Sequence, residues 1–383
     1  MRIYLDHNAT TPVAPAVAEA VAESLRETYG NPSSIHWFGQ KAKAALDAAR
    51  QSVSALIGAE PAEIVFTSGG TEADNMAIRG AAAAAARSGR RHIVTTAIEH
   101  EAVLNTVHAL EREGWPVTIV PVSHTAVVSA EVIARAIRAD TALISVMHAN
   151  NEVGTIQPIE EIAALARSHG ILVHTDAVQS AGKVPVDARK LGVDLMSISA
   201  HKFGGPKGAG ALWIRRGVTL MPWATGGRQE RNRRPGTENV PAIAGFGVAA
   251  ALALGELDKE AARMAALRDR LEGEILARIP GTERNGAAAP RVPNTTNISF
   301  QGAEAESLLI ALDLEGIAVS TGSACSSGTL EPSHVLRGMG LSHQRAQSSL
   351  RFSLGKTTTE DEIARVLEVL PAIVEKIRRI GRG

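Results

Sequence analysis

The chain has 383 residues, with 40 Lys and Arg against 40 Asp and Glu, 45% hydrophobic residues and a single cysteine. A formal charge of zero provides no field to collect nucleic acid or an anionic membrane surface, and one cysteine excludes an internal disulfide. The length exceeds what one core usually fills, so two domains are expected.

The N-terminal stretch MRIYLDHNATTP has no basic segment followed by an apolar one, so no secretory signal is expected and the protein reads as cytoplasmic. From about residue 60 to 215, short β-branched runs (EIVFTS, HIVTTAI, PVTIVPV, ALISVMH, ILVHTDA, GALWIRR) alternate with helical patterns such as MAIRGAAAAAARSG and IEEIAALARSHG. That alternation predicts an α/β fold with a mainly parallel sheet covered by helices. The apolar run IAGFGVAAALALG, residues 243–255, is too short to span a bilayer and reads as a buried helix. The texture then changes to a charged helix, a Gly/Ala/Pro-rich loop, the run NISF and a closing helix, EDEIARVLEVLPAIVEKIRRI. The expected division is a large domain over residues 15–255 and a smaller α+β domain made of residues 1–14 and 256–383.

Several strand ends carry chemistry. SAHKFGGPKGAG, residues 199–210, sets Lys202 between His201 and a glycine-rich loop, which suits Schiff-base chemistry as well as it suits a solvated loop lysine. VHTDAVQS, residues 173–180, ends an apolar run with Asp176 and Gln179 at the edge where open α/β sheets bind ligands. A carboxylate there can keep a pyridinium nitrogen protonated; it can equally be a helix N-cap. VFTSGGTEADNMAI, residues 65–78, supplies a strand, a glycine turn with Thr71 and a helix start, a combination that favours a phosphate group. It matches neither the P-loop nor GxGxxG. His100 and Asn151 end two further strands, where either could serve a ligand or the fold. His100, His148, His174, His201 and Asp176 show no metal-ligand spacing, so no resident metal is expected. The lone thiol, Cys325, sits in STGSACSSG; lone cysteines are often small buried hydrophobes, but this setting of hydroxyl residues and glycines reads as an exposed loop.

Taken in order, YLDHNATTP, GNPSSIH, FTSGGTEADN, EHEAVLNT, HANNEVGTIQPI, HTDAVQS, SAHKFGGPKG, GGRQERNRRPGTENV, STGSACSSGTLEPSHVL and SSLRFSLG resemble the cysteine desulfurases of the NifS and IscS group, over nearly the whole chain. The resemblance implies the fold type I architecture of pyridoxal-phosphate enzymes, with a mainly parallel seven-stranded sheet and a smaller α+β domain. It implies that Lys202 binds pyridoxal 5'-phosphate covalently, Asp176 pairs with the ring nitrogen, Gln179 contacts the ring oxygen and His100 stacks on the ring. Gly70, Thr71, Ser199 and His201 would hold the phosphate, joined by Thr237 from the second subunit of a homodimer. Asn151 would lie beside the ring and the substrate, and Arg351 would clamp the carboxylate of L-cysteine. Cys325 would accept the sulfur as a persulfide and pass it to acceptor proteins such as an iron-sulfur scaffold, transiently ligating a cluster there. The pathway served stays open. The chain ends at EKIRRIGRG, soon after its last helix, where IscS-type members carry a further tail, so no scaffold-docking mode is implied. A selenocysteine lyase or another β-lyase is the alternative activity, and a non-catalytic assembly subunit of the same fold the remote one.

Overall fold

The computed structural model describes residues 2–322 and 332–380. Seven strands form the main sheet: β2 (Ile64–Thr67), β3 (His92–Thr96), β4 (Val117–Val120), β5 (Thr141–Ser145), β6 (Leu172–Asp176), β7 (Leu195–Ser199) and β8 (Gly210–Ile214), with β1 (Ile3–Tyr4) set apart in a second, small sheet. Their spatial order is β2-β8-β7-β6-β5-β3-β4. The central pairs from β4 through β7 are parallel, and β8 alone runs antiparallel to both of its neighbours.

The mainly parallel, seven-stranded expectation therefore holds, and β8 explains its one exception. It returns from β7 through the short connection that holds Lys202, so β7 and β8 pair as a hairpin instead of through a crossover helix. Every residue of β3, β5, β7 and β8 is buried, because helices cover both faces of the sheet. One face packs Phe66, Ile144, Met196 and Trp213 against Leu46, Val53 and Phe246; the other packs Val65, Ile93, Leu143 and Leu212 against Met76, Ile78, Val103 and Val107.

The apolar run at 243–255 is the first part of a 39-residue helix, Val240–Arg278, whose most apolar window is 50% buried. Ile243, Phe246 and Ala250 enter the large core, while Leu267, Leu271 and Ile275 enter a second core with Phe300, Leu308, Phe352 and Leu367. The change of texture near residue 256 thus falls inside one continuous helix. Gly247 lets this helix approach the helix Trp37–Leu56: a Cβ there would lie 2.6 Å from the Ala49 Cα.

The second core carries an antiparallel sheet of β9 (Thr282–Arg284), β10 (Thr295–Phe300) and β12 (Ser349–Ser353), in the order β12-β10-β9. The strand β11 (Ile317–Ala318) pairs in parallel with β1, which ties the N-terminus to this part of the chain. From β1 the chain runs directly to the carboxyl edge of the large sheet. Ser353 N–H bonds to the Leu5 carbonyl, and Thr11 N–H to the His201 carbonyl.

Candidate active site

The carboxyl ends of β2, β3, β5, β6 and β7 open on one edge, and each supplies a side chain there. Beyond β2 comes the helix Gly70–Ala86, whose N-cap, Gly69, offers no side-chain hydrogen bond. Its first amides therefore remain for an anion, with the helix dipole behind them. Thr71, in its first turn, is exposed. A Cβ on Gly70 would lie 2.8 Å from Val178 Cγ2 and 3.8 Å from Ser199 Cβ, so the turn is a cradle that only glycine leaves open. Ser199, at the end of β7, faces this turn with a buried Oγ that has no partner among the described residues.

His100 ends the connection after β3 and caps the helix Glu101–Arg112, its Nδ1 accepting the Ala102 N–H at 3.1 Å. Asp176 ends β6, and its Oδ1 accepts the Val178 N–H at 2.8 Å. The helix cap considered for Asp176 is not formed, since the next helix begins at Ala188; the bond to Val178 belongs to a turn and engages one oxygen. Burial raises the Asp176 carboxyl above its ordinary range, against the opposing pull of His100, the Val178 amide and Lys202. Burial lowers the His100 imidazole, with Lys202 and His334 adding to the effect and Asp176 opposing it. Lys202, Asp176 and His100 therefore act on one another across one sheet edge.

Lys202 occupies the one-turn helix Ala200–Lys202, where its Nζ donates to the main-chain carbonyls of Asn8 (2.6 Å) and Ala9 (2.9 Å). His201 Nδ1 lies 3.1 Å from Thr10 Oγ1, and burial with the nearby charges of Lys202, Lys207 and Lys183 lowers its pKa to about 4. The same Asn8 carbonyl accepts Gln179 Nε2 at 2.9 Å. Asn8 Nδ2 donates to the Asn151 carbonyl at 3.1 Å, and the buried Asn151 Oδ1 has no partner among the described residues.

Arg351 rises from β12 in the small sheet. Its guanidinium donates to Asp6 Oδ1 at 2.6 Å, the Asn151 carbonyl at 3.0 Å and the Gly322 carbonyl at 3.4 Å, while Nε is buried and has no partner among the described residues. Thr237 is exposed, and no described hydrogen bond joins it to this cluster. Cys325 lies outside the described residues.

Asn8, Asp6 and Lys183 carry much of this geometry and are not foreseen from the sequence. The signal for Asn8 was its place in YLDHNATTP; that for Lys183 was its spacing of four residues from Gln179, one helical turn away. The edge thus gathers an amine, a buried acid, an imidazole plane, an anion cradle and a buried guanidinium.

Residues 3–366 match the aminotransferase class-V family. The chain belongs to that family. It is 50% identical over 379 residues to "Cysteine desulfurase IscS" of Dictyoglomus turgidum, covering 99% of this chain and 96% of that protein. It is 51% identical over 379 residues to the protein of the same name from Methanosarcina thermophila, covering 99% of this chain and 93% of that one. A solved structure titled "NIFS-LIKE PROTEIN" superposes with a TM-score of 0.91 at 40% identity, covering 98% of this chain and 100% of that one. Within the class-V family the chain groups with the cysteine desulfurases, and it is an enzyme.

Proposed function

We propose that this cysteine desulfurase binds pyridoxal 5'-phosphate, takes sulfur from L-cysteine, releases L-alanine and leaves a persulfide on Cys325. What supports the reading is the mutual closeness of Lys202, Asp176 and His100 beside a glycine cradle and the unpartnered Ser199 hydroxyl. A phosphate ester suits the cradle, and a pyridine ring could offer its face to the His100 imidazole and its nitrogen to the Asp176 carboxyl.

When bound, the cofactor supplies an electron sink for charge left on the substrate's α-carbon. The rest is this chain's work. Lys202 Nζ would hold the cofactor through its aldehyde carbon, and the same amine would move the substrate's α-proton. Asp176 would keep a proton on the ring nitrogen, and His100 would cover the ring. The first amides of the helix Gly70–Ala86, Thr71, Ser199 and His201 hold the phosphate. Arg351 Nε and the open Asn151 Oδ1 orient the amino acid, since both are buried donors or acceptors left without partners. The Cys325 thiolate would form the new S–S bond as the substrate's Cβ–S bond breaks, the bonding pair staying with Cβ, which takes up a proton to give alanine.

A homodimer fits the exposed Thr237, which would reach the phosphate of a second copy, and the exposed apolar group Tyr29, Ile35, Trp37 and Phe38 nearby in sequence to GNPSSIH. Sulfur-acceptor proteins such as an iron-sulfur scaffold are the partners expected of a persulfide carrier, in the cytoplasm. The test is reconstitution with pyridoxal phosphate followed by borohydride reduction and peptide mapping. The cofactor should be fixed on Lys202; a protein that takes up none, or fixes it elsewhere, contradicts the assignment.

A further inference from the structure

Lys183 is buried one turn beyond Gln179, 4% exposed, in the segment that leaves β6. Its Nζ donates to Gln179 Oε1 at 2.6 Å and to Asn8 Oδ1 at 2.9 Å. No carboxylate is among its described hydrogen-bond partners. A lysine so buried is costly unless it does something there. Its charged neighbours, Lys202 and Arg351, are both cations, and burial together with them pulls its pKa well below the ordinary lysine value.

The partners show what it does. Gln179 is held at both ends: Nε2 donates to the Asn8 main-chain carbonyl, which can only accept, and Oε1 receives Lys183. Asn8 is fixed in the same way, because Nδ2 faces the Asn151 carbonyl while Oδ1 faces Lys183 and Asn294 Nδ2. An amide nitrogen carries two hydrogens, and only one of those on Gln179 is spent on Asn8. The second is left for the site.

We propose that Lys183 is a positioning residue for the cofactor ring: by occupying Gln179 Oε1 it fixes the sense of that amide, so that an N–H, never the carbonyl oxygen, meets the ring oxygen. The inference rests on the pyridoxal-phosphate reading of the site. An anionic ring oxygen needs a donor; a reversed Gln179 would set two acceptors against each other, which is destabilising.

Two measurements decide it. Neutron diffraction of the wild-type protein without cofactor reads the deuterons directly. A Lys183 deuteron aimed at Gln179 Oε1, with both amide deuterons turned away from Lys183, is expected; an amide deuteron of Gln179 aimed at Lys183 overturns the proposal, whether or not the cofactor binds. The second uses Lys183→Met, Gln179→Ala and the double variant, reading pyridoxal-phosphate affinity and the pH midpoint of the bound cofactor's visible band. Each single variant should bind about tenfold more weakly. Each should also raise the midpoint by about one unit, because an oxygen without its donor holds a proton more strongly. The double variant should match either single one. Singles whose effects multiply in the double variant, or a K183M spectrum with the wild-type midpoint, would overturn the proposal. Wild-type protein that takes up no pyridoxal phosphate would instead sink the reading of the site, leaving the neutron result to decide the amide's sense.

Discussion

Arg50 and Glu230 meet as a buried two-pronged ion pair, with Nη1 to Oε2 at 2.8 Å and Nη2 to Oε1 at 2.7 Å. Glu230 also accepts the Phe66 N–H at 2.9 Å, and the Arg50 guanidinium lies over the Phe66 ring, 4.5 Å from its centroid. The pair secures an unusual backbone. Glu230, Arg231 and Asn232 have φ of 43°, 57° and 64°, three consecutive non-glycine residues in the left-handed region, each at a cost of about 1–2 kcal/mol. Thr237 follows on the same loop.

Glu230→Gln should therefore strand the buried Arg50 charge and lower unfolding stability by about 3–5 kcal/mol. The double variant Arg50→Met/Glu230→Leu, with no charge to bury, should recover a large part of that loss. Denaturant unfolding of both variants checks it. Equal loss in single and double variants would mean that the backbone strain, and not the charge, dominates.

Arg351 is already tied to Asp6, Asn151 and Gly322, which leaves Nε and the second hydrogen of Nη2 for an incoming carboxylate. Arg351→Lys keeps the charge but loses the fork. It should raise KM for L-cysteine by about 10- to 100-fold, the equivalent of one charge-assisted hydrogen bond, while leaving pyridoxal-phosphate affinity unchanged. Steady-state kinetics and cofactor titration separate the two. A loss of cofactor affinity with KM intact would place Arg351 on the wrong ligand.

Acid should destabilise the protein through its buried histidines. His174, whose ring nitrogens lie 2.8 Å from Ser145 Oγ and 3.0 Å from Ser197 Oγ, has its pKa lowered by burial from 6.5 to about 3. The folded value is depressed, so this contribution is complete above pH 6.5 and is lost as pH falls toward about 3. Glu99 works the other way: burial raises it from 4.5 to about 8, so its contribution is complete below pH 4.5 and is lost as pH rises through 8. The two overlap, which makes the difference between wild type and His174→Gln the useful quantity. That difference should shrink as pH falls below 6.5; a constant difference between pH 7 and about 4 would show that His174 does not titrate as burial requires.

Much of this site was legible because strand ends and glycine turns announce themselves locally. Asp176, Ser199 and Lys202 each follow a β-branched run, and an open sheet brings such ends to one edge whatever the loops between them do. Asn8 and Lys183 were not legible. Gln179 is four residues from Lys183, but the partners that tie both residues into the site lie 286 and 175 residues away, as in Asn8 to Asn294 and Lys183 to Asn8, and no periodicity encodes a contact of that range. The antiparallel β8 was hidden for a related reason: its all-apolar run GALWI reads the same in either direction. The helix Val240–Arg278 carries the change of texture near residue 256 without a break in its backbone: its residues up to Ala253 serve one core and those from Leu267 serve the other, so composition changes where the environment does.

The central claim is that sulfur leaves L-cysteine by attack of the chain's one thiol, Cys325. A simple β-lyase would expel the substrate thiol with no help from a protein cysteine. The most direct measurement is the intact mass of wild type and Cys325→Ala after exposure to L-cysteine, with alanine followed in the same samples. Wild type should gain one sulfur, mapped to Cys325, and form alanine; the variant should gain none and form alanine orders of magnitude more slowly, while still binding L-cysteine with a change in its visible spectrum. A variant that forms alanine at close to the wild-type rate, or a wild type that turns over without ever carrying the extra sulfur, would contradict the account.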